Sequence, residues 1–92
     1  MKSAYELAME RLQKESPTKP LSDRQKAEIA EIDSLTKAKI AEREVFLRDQ
    51  IAKAEAAGKH GEVLELQDQL ARDVRRLQSD NESKKEKVRQ AG

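Results

Sequence analysis

The sequence predicts an all-α protein, a long antiparallel helical hairpin of coiled-coil-like character with an eleven-residue repeat, preceded by a short N-terminal helix. Three observations predict it. Ile29, Ile40 and Ile51 recur every eleven residues, and after Gly58-Lys59-His60-Gly61 the interval returns as Val63 to Val74 and as Leu66 to Leu77 to Val88. Eleven residues close three turns at about 3.67 residues per turn, so the repeat keeps one apolar seam on a nearly straight helix. Charged residues make up 40% of the 92, against 36% hydrophobic and 2% aromatic. That balance suits solvated helices better than a compact globule, and a disordered chain of similar charge lacks sustained periodicity. Finally, the two glycines divide the periodic region into two runs that can fold back on one another.

The first element is expected over residues 1–14, where Tyr5, Ala8, Met9 and Leu12 fall on one side of a helix. A helix of three to four turns is marginal alone in water. Tyr5, Met9 and Leu12 are therefore expected to dock, with Ile32, Leu35 and Phe46 of the hairpin as the receiving surface. Ser16-Pro17-Thr18-Lys19-Pro20 breaks this helix, because proline removes an amide donor and turns the residue before it away from helix. Residues 15–21 read as a linker and residues 22–92 as the hairpin.

The first long helix is expected over 22–57. Ser22 followed by Gln25 is a capping-box arrangement, and Asp23 in the first turn suits the positive end of the helix dipole. Ile29, Thr36, Ile40, Leu47, Ile51 and Ala54 form its seam, flanked by Ile32, Leu35 and Phe46. Gly58 supplies the left-handed residue that ends it, and the turn is placed at 58–61.

The return helix is expected over 62–88. Val63, Leu66, Leu70, Val74, Leu77 and Val88 form one seam, interrupted by Asn81. Folding at the glycines sets Ile51 by Leu66, Leu47 by Leu70 and Ile40 by Leu77. A local repeat supports that register: Leu47-Arg48-Asp49-Gln50-Ile51-Ala52 returns as Leu66-Gln67-Asp68-Gln69-Leu70-Ala71. Beyond Leu77, Ser79 to Lys87 carries no large apolar residue, so the last turns are expected to fray and to leave Ile29 and Ile32 for another element to cover.

No reactive constellation stands in the chain. Without cysteine there is no disulfide, thiolate metal site or cysteine nucleophile. The single histidine, His60, lacks the companion nitrogen or sulfur ligands that zinc requires. Carboxylate pairs such as Glu28 with Glu31 lie among lysines and arginines, where nothing desolvates them for acid–base work. No catalytic residue, metal, cofactor or small-molecule substrate is expected. Acids at Glu6 and Glu10 interrupt any secretory signal, and the longest large apolar run, Val45-Phe46-Leu47, is far short of a membrane span. A cytoplasmic protein making no membrane contact is the expectation.

Net charge is +1, but residues 71–92 hold seven basic groups against four acidic. Arg72, Arg75 and Arg76 fall within one turn of this segment and are the candidate phosphate contacts; stacking aromatics are absent there, which argues against base recognition. Over about a dozen residues, Lys59 to Leu70 resembles the second helix of the short hairpin shared by bacterial excision-repair subunits. Leu66, Asp68 and the apolar Leu70 follow the pattern, whereas Gln67 replaces an arginine and His60 stands where an aromatic is usual. The resemblance implies a hairpin that docks on another helical hairpin.

The functional expectation is a non-enzymatic protein–protein interaction or assembly module, most simply a homodimer or a binder of a helical partner. Its interface is assigned to Ile32, Leu35, Val45, Phe46 and Leu64. The alternative is a nucleic-acid- or ribosome-associated protein acting through the basic end.

Overall fold

The computed structural model describes residues 3–8 and 20–91. It is all-α, and two long helices pack against each other: α1, Asp23–Ala56, and α2, His60–Ala91. At 34 and 32 residues each extends about 50 Å at 1.5 Å per residue.

Local chemistry starts α1 as expected. Ser22 Oγ accepts from the Gln25 amide at 3.1 Å, while Gln25 Oε1 accepts from the Ser22 amide at 2.8 Å, a complete capping box. Its C-terminus closes in a Schellman motif, in which the Lys59 amide donates to the Ala54 carbonyl at 2.9 Å and the Gly58 amide to Glu55 at 3.0 Å. Gly58 sits at φ 72°, the one described residue with positive φ.

The reversal is tighter than the sequence suggests. α2 begins at His60 rather than 62, because the left-handed Gly58 alone reverses the chain; Gly61 is already in the first turn, and the Val63 amide donates to the Lys59 carbonyl at 3.1 Å.

The seam is thin. Leu47 is 1% exposed, and only Ala54 and Val63 join it as buried apolar residues among those described. Ile29, Ile40, Ile51, Leu66, Leu70, Val74, Leu77 and Val88 are half-buried, since two helices cover each other on one face and leave the margins to water.

Polar links between the helices fix the register. Arg43 donates to Asp73 Oδ2 through Nε at 3.1 Å and also through a terminal nitrogen. Thr36 Oγ1 donates to Asn81 Oδ1 at 2.7 Å, and Asn81 Nδ2 donates to Asp33 Oδ1 at 3.0 Å. Ile40 and Leu77 lie between these two ties, in the layer the sequence assigned to them.

In the described structure α2 continues past Val88 to Ala91. Polar contacts hold this end. Gln25, already in the capping box, donates through Nε2 to the Val88 carbonyl at 2.9 Å. Lys85 Nζ reaches Asp33 at 3.2 Å and Glu82 at 3.4 Å. Arg89 pairs with Glu86 at 3.1 Å. The Lys85 side chain is only 15% exposed, so its methylene stem lies along the hairpin while its ammonium reaches the carboxylates.

Residues 4–8 are helical, and Ser3 Oγ accepts from the Glu6 amide at 3.2 Å. Tyr5 is exposed. Its expected companions Met9 and Leu12 lie outside the described residues, as does most of the 15–21 linker.

Candidate interaction surface

Which side of the seam each exposed residue occupies follows from the helical step of about 100° per residue together with the cross-links. Arg43–Asp73 marks one edge of the hairpin and Asp33–Lys85 the other. Leu35 and Phe46 lie on the Arg43 edge, separated by eleven residues and so stacked along one line of α1.

Four of the five residues assigned to an interface lie open. Phe46 is 55% exposed, Leu35 56%, Val45 73% and Leu64 67%. The fifth, Ile32, is half-buried because it leans toward the seam. They do not form one patch. Leu35 and Phe46 share a flank, and Val45 adjoins Phe46 on the outer face of α1 in an open apolar depression with Ala41. Leu64 sits on α2 at the opposite edge.

The Phe46 ring is held from one side. The Arg43 guanidinium, anchored by Asp73, lies 5.9 Å from the ring centroid, a cation–π contact. With this contact in place Phe46 is still 55% exposed.

The basic residues divide. Arg72 and Arg76 line a shallow hollow with Gln69 and Asp73, and Arg76 also lines a neighbouring one with Lys39, Glu42, Arg43, Asp73 and Leu77. Arg75 lines neither. Arg72 is paired with Asp68 at 3.1 Å and Arg43 with Asp73, so acids of this chain occupy two of the four guanidinium and ammonium groups converging there. Sequence reasoning named the arginines of α2 and missed Lys39 and Arg43, because their approach depends on the hairpin register.

The Asp33–Asn81–Lys85 group is the other charged cluster spanning both helices. The Asn81 amide, then the Lys85 ammonium, hold the Asp33 carboxyl below its ordinary pKa; the hydrogen bond to Asp33 first of all raises that of Lys85. Asn81 was visible in the sequence as an interruption of the seam, but its partners were not.

Among the described residues no three histidine, cysteine or acidic side chains converge as a metal site. No described helix is long and apolar enough to cross a membrane.

Comparison with protein-family models, curated proteins and solved structures finds no match.

Proposed function

We propose that this chain is a non-enzymatic helical interaction module that associates with a second copy of itself through the exposed flank of α1. The observation that carries the reading is the contrast between core and surface. Only Leu47, Ala54 and Val63 are buried apolar residues among those described, whereas Leu35, Val45, Phe46 and Leu64 lie open. A core this thin supplies little stability on its own, and apolar residues left on the surface of a small helical unit are what a partner helix covers. A cytoplasmic setting belongs to the same reading.

Sedimentation equilibrium from about 1 μM to 1 mM tests it, a range set by the weak association expected of a small interface. A concentration-dependent rise in mass, weakened by Phe46→Glu with helicity retained, is the expected result. A strict monomer with full helicity and a cooperative melt would defeat it.

A second reading rests on the convergence of Lys39, Arg43, Arg72 and Arg76 from both helices. In that case the chain binds a phosphate backbone through this edge. Affinity for a short RNA or DNA duplex would fall steeply with salt and be lost when Arg72, Arg75 and Arg76 are changed to glutamine. No retention at low salt would dispose of it. The pairing of Arg72 with Asp68 and of Arg43 with Asp73 favours the first reading.

A further inference from the structure

The flank of α1 that carries Leu35 and Phe46 is chemically self-complementary. Arg24 and Ala57 lie at its two ends, and between them fall six residues: Glu28, Leu35, Lys39, Glu42, Phe46 and Lys53. Their spacings of seven, four, three, four and seven residues read the same in both directions. Reversing the strip replaces each residue by its match, since Glu28 exchanges with Lys53, Leu35 with Phe46 and Lys39 with Glu42.

We propose that two copies of this chain pair antiparallel through this flank, about a twofold axis passing α1 between Ile40 and Ala41. This deepens the self-association reading and rests on it. In a twofold interface, if residue i meets residue j then j meets i. Every contact is therefore made twice. Leu35 packs on Phe46 of the second copy in two layers, each about 8 Å from the axis. Between them Lys39 meets Glu42 of the second copy, again twice. Toward the ends Glu28 meets Lys53.

Exposure is compatible with this occupant. Leu35 and Phe46 are more than half exposed, Lys39 and Glu42 are exposed, and the Lys53 and Glu28 side chains are 70% and 44% exposed. The competing ties are weak ones: Lys53 to Asp49 at 3.0 Å and Glu28 to Arg24 at 3.2 Å, each between solvated neighbours on one helix. They do not prevent a second partner from approaching.

The pairing is between α1 and α1. On the same edge α2 presents Glu62, Gln69, Asp73, Arg76 and Asp80, with no large apolar residue among them. The six α1 positions also average slightly more than a right angle from the seam at about 100° per residue. The α2 helices then splay apart, leaving water between their polar edges. A shift by one turn would break the match, because it would bring like charges together, and charge pattern is what sets orientation in helix pairs.

Charge exchange on the full-length chain tests the pairing. Lys39→Glu sets two glutamates of each copy against two of the other, and Glu42→Lys does the same with lysines. Each variant alone should dimerise about tenfold more weakly at low ionic strength, where such charges are least screened. Mixed in equal amounts, the two variants pair opposite charges at both positions and should form heterodimers within about threefold of wild-type affinity. A change in helix stability within one chain cannot produce rescue on mixing. Circular dichroism of each variant provides the check on folding, and analytical ultracentrifugation with one variant labelled reads the heterodimer.

If the wild type dimerises but either single variant is not weakened, or the mixture is no better than its components, this pairing is wrong and self-association stands by another surface. If the wild type stays monomeric to about 1 mM, a concentration matching only a few kcal/mol of association, self-association falls and the pairing with it.

Discussion

Leu47→Ala should be the most damaging single truncation in this chain. Among the described residues Leu47 is the only large side chain that is fully enclosed, at 1% exposure, and in this register it lies opposite Leu70 in the seam. Removing a buried leucine to alanine costs about 2 to 5 kcal/mol, with the size of the residual cavity deciding the value. Here the cavity is bounded by two helices and open margins, so the walls can settle inward and the lower part of the range, about 2 to 3 kcal/mol, applies. Against a domain stability of about 0.05 to 0.15 kcal/mol per residue, a hairpin of this length holds on the order of 3 to 10 kcal/mol. The change therefore removes a large fraction of the total. With a urea slope near 1 kcal/mol per molar for a small domain, the midpoint should fall by about 2 M. Ellipticity at 222 nm is the signal. Wild type and variant must be compared at equal protein concentration, since self-association adds stability by mass action. Leu64→Ala, at a position 67% exposed, is the control and should shift the midpoint by less than about 0.5 M. A Leu47→Ala midpoint within that same margin would refute the view that the seam, thin as it is, holds the helices together.

Three further outcomes follow from the polar layer and the turn. Asn81→Ala should cost about 1 to 2 kcal/mol in a urea titration, because it ends one hydrogen bond with Thr36 and one with Asp33, each contributing about 0.5 to 1.5 kcal/mol; the double variant Thr36→Val with Asn81→Leu replaces both partners by apolar groups and should recover most of that loss. The Asp33–Lys85 tie sets a pH window. Asp33 has a lowered pKa in the fold, so its contribution is present above the ordinary carboxylate range and disappears as pH falls through the folded value, while the raised pKa of Lys85 means its contribution disappears only as pH rises beyond the ordinary lysine range. Thermal melts of wild type and Asp33→Asn should thus differ most at neutral pH and converge as pH falls below the ordinary aspartate range, given an unperturbed aspartate near 4. At the turn, Gly58→Ala should destabilise by about 1 kcal/mol purely through its left-handed backbone, since an added Cβ meets nothing within 4 Å. Gly61→Ala in the same turn should instead stabilise by a few tenths of a kcal/mol, because that glycine is helical and its Cβ also has open space; equal signs for the two in denaturant titrations would contradict the assigned turn.

The parts of the fold legible in the sequence are those that depend on residues close along the chain or on a period. The capping box at Ser22 and Gln25 needs only a separation of three, and the C-terminal glycine at 58 only a break in the pattern. The eleven-residue rhythm put Ile40 and Leu77 in one layer without reference to any tertiary contact, because a straight helix returns the same face every three turns. What escaped are ties whose partners stand 30 to 63 residues apart: Arg43 with Asp73, Asn81 with Thr36 and Asp33, Gln25 with the Val88 carbonyl. Each is polar, so nothing in the apolar pattern announces it. For the candidate surface, the sequence singled out Leu35 and Phe46 as flanking the seam but not which neighbours share their line.

These ties also explain how so thin a seam specifies one alignment. An apolar seam repeating every eleven residues is matched almost as well after a slip of eleven, so burial alone discriminates poorly between registers. The Thr36–Asn81 pair does discriminate, since a slip of eleven would set Asn81 against Leu47 in one direction or Thr36 against Leu70 in the other, at the cost of desolvating a polar group with no partner. Placing polar residues inside the seam lowers the apolar area that two helices can bury together. The hairpin is then well aligned but thinly cored, and the apolar residues it leaves on the outer flank of α1, set among charges that change sign when the strip is reversed, suit a second copy of the chain.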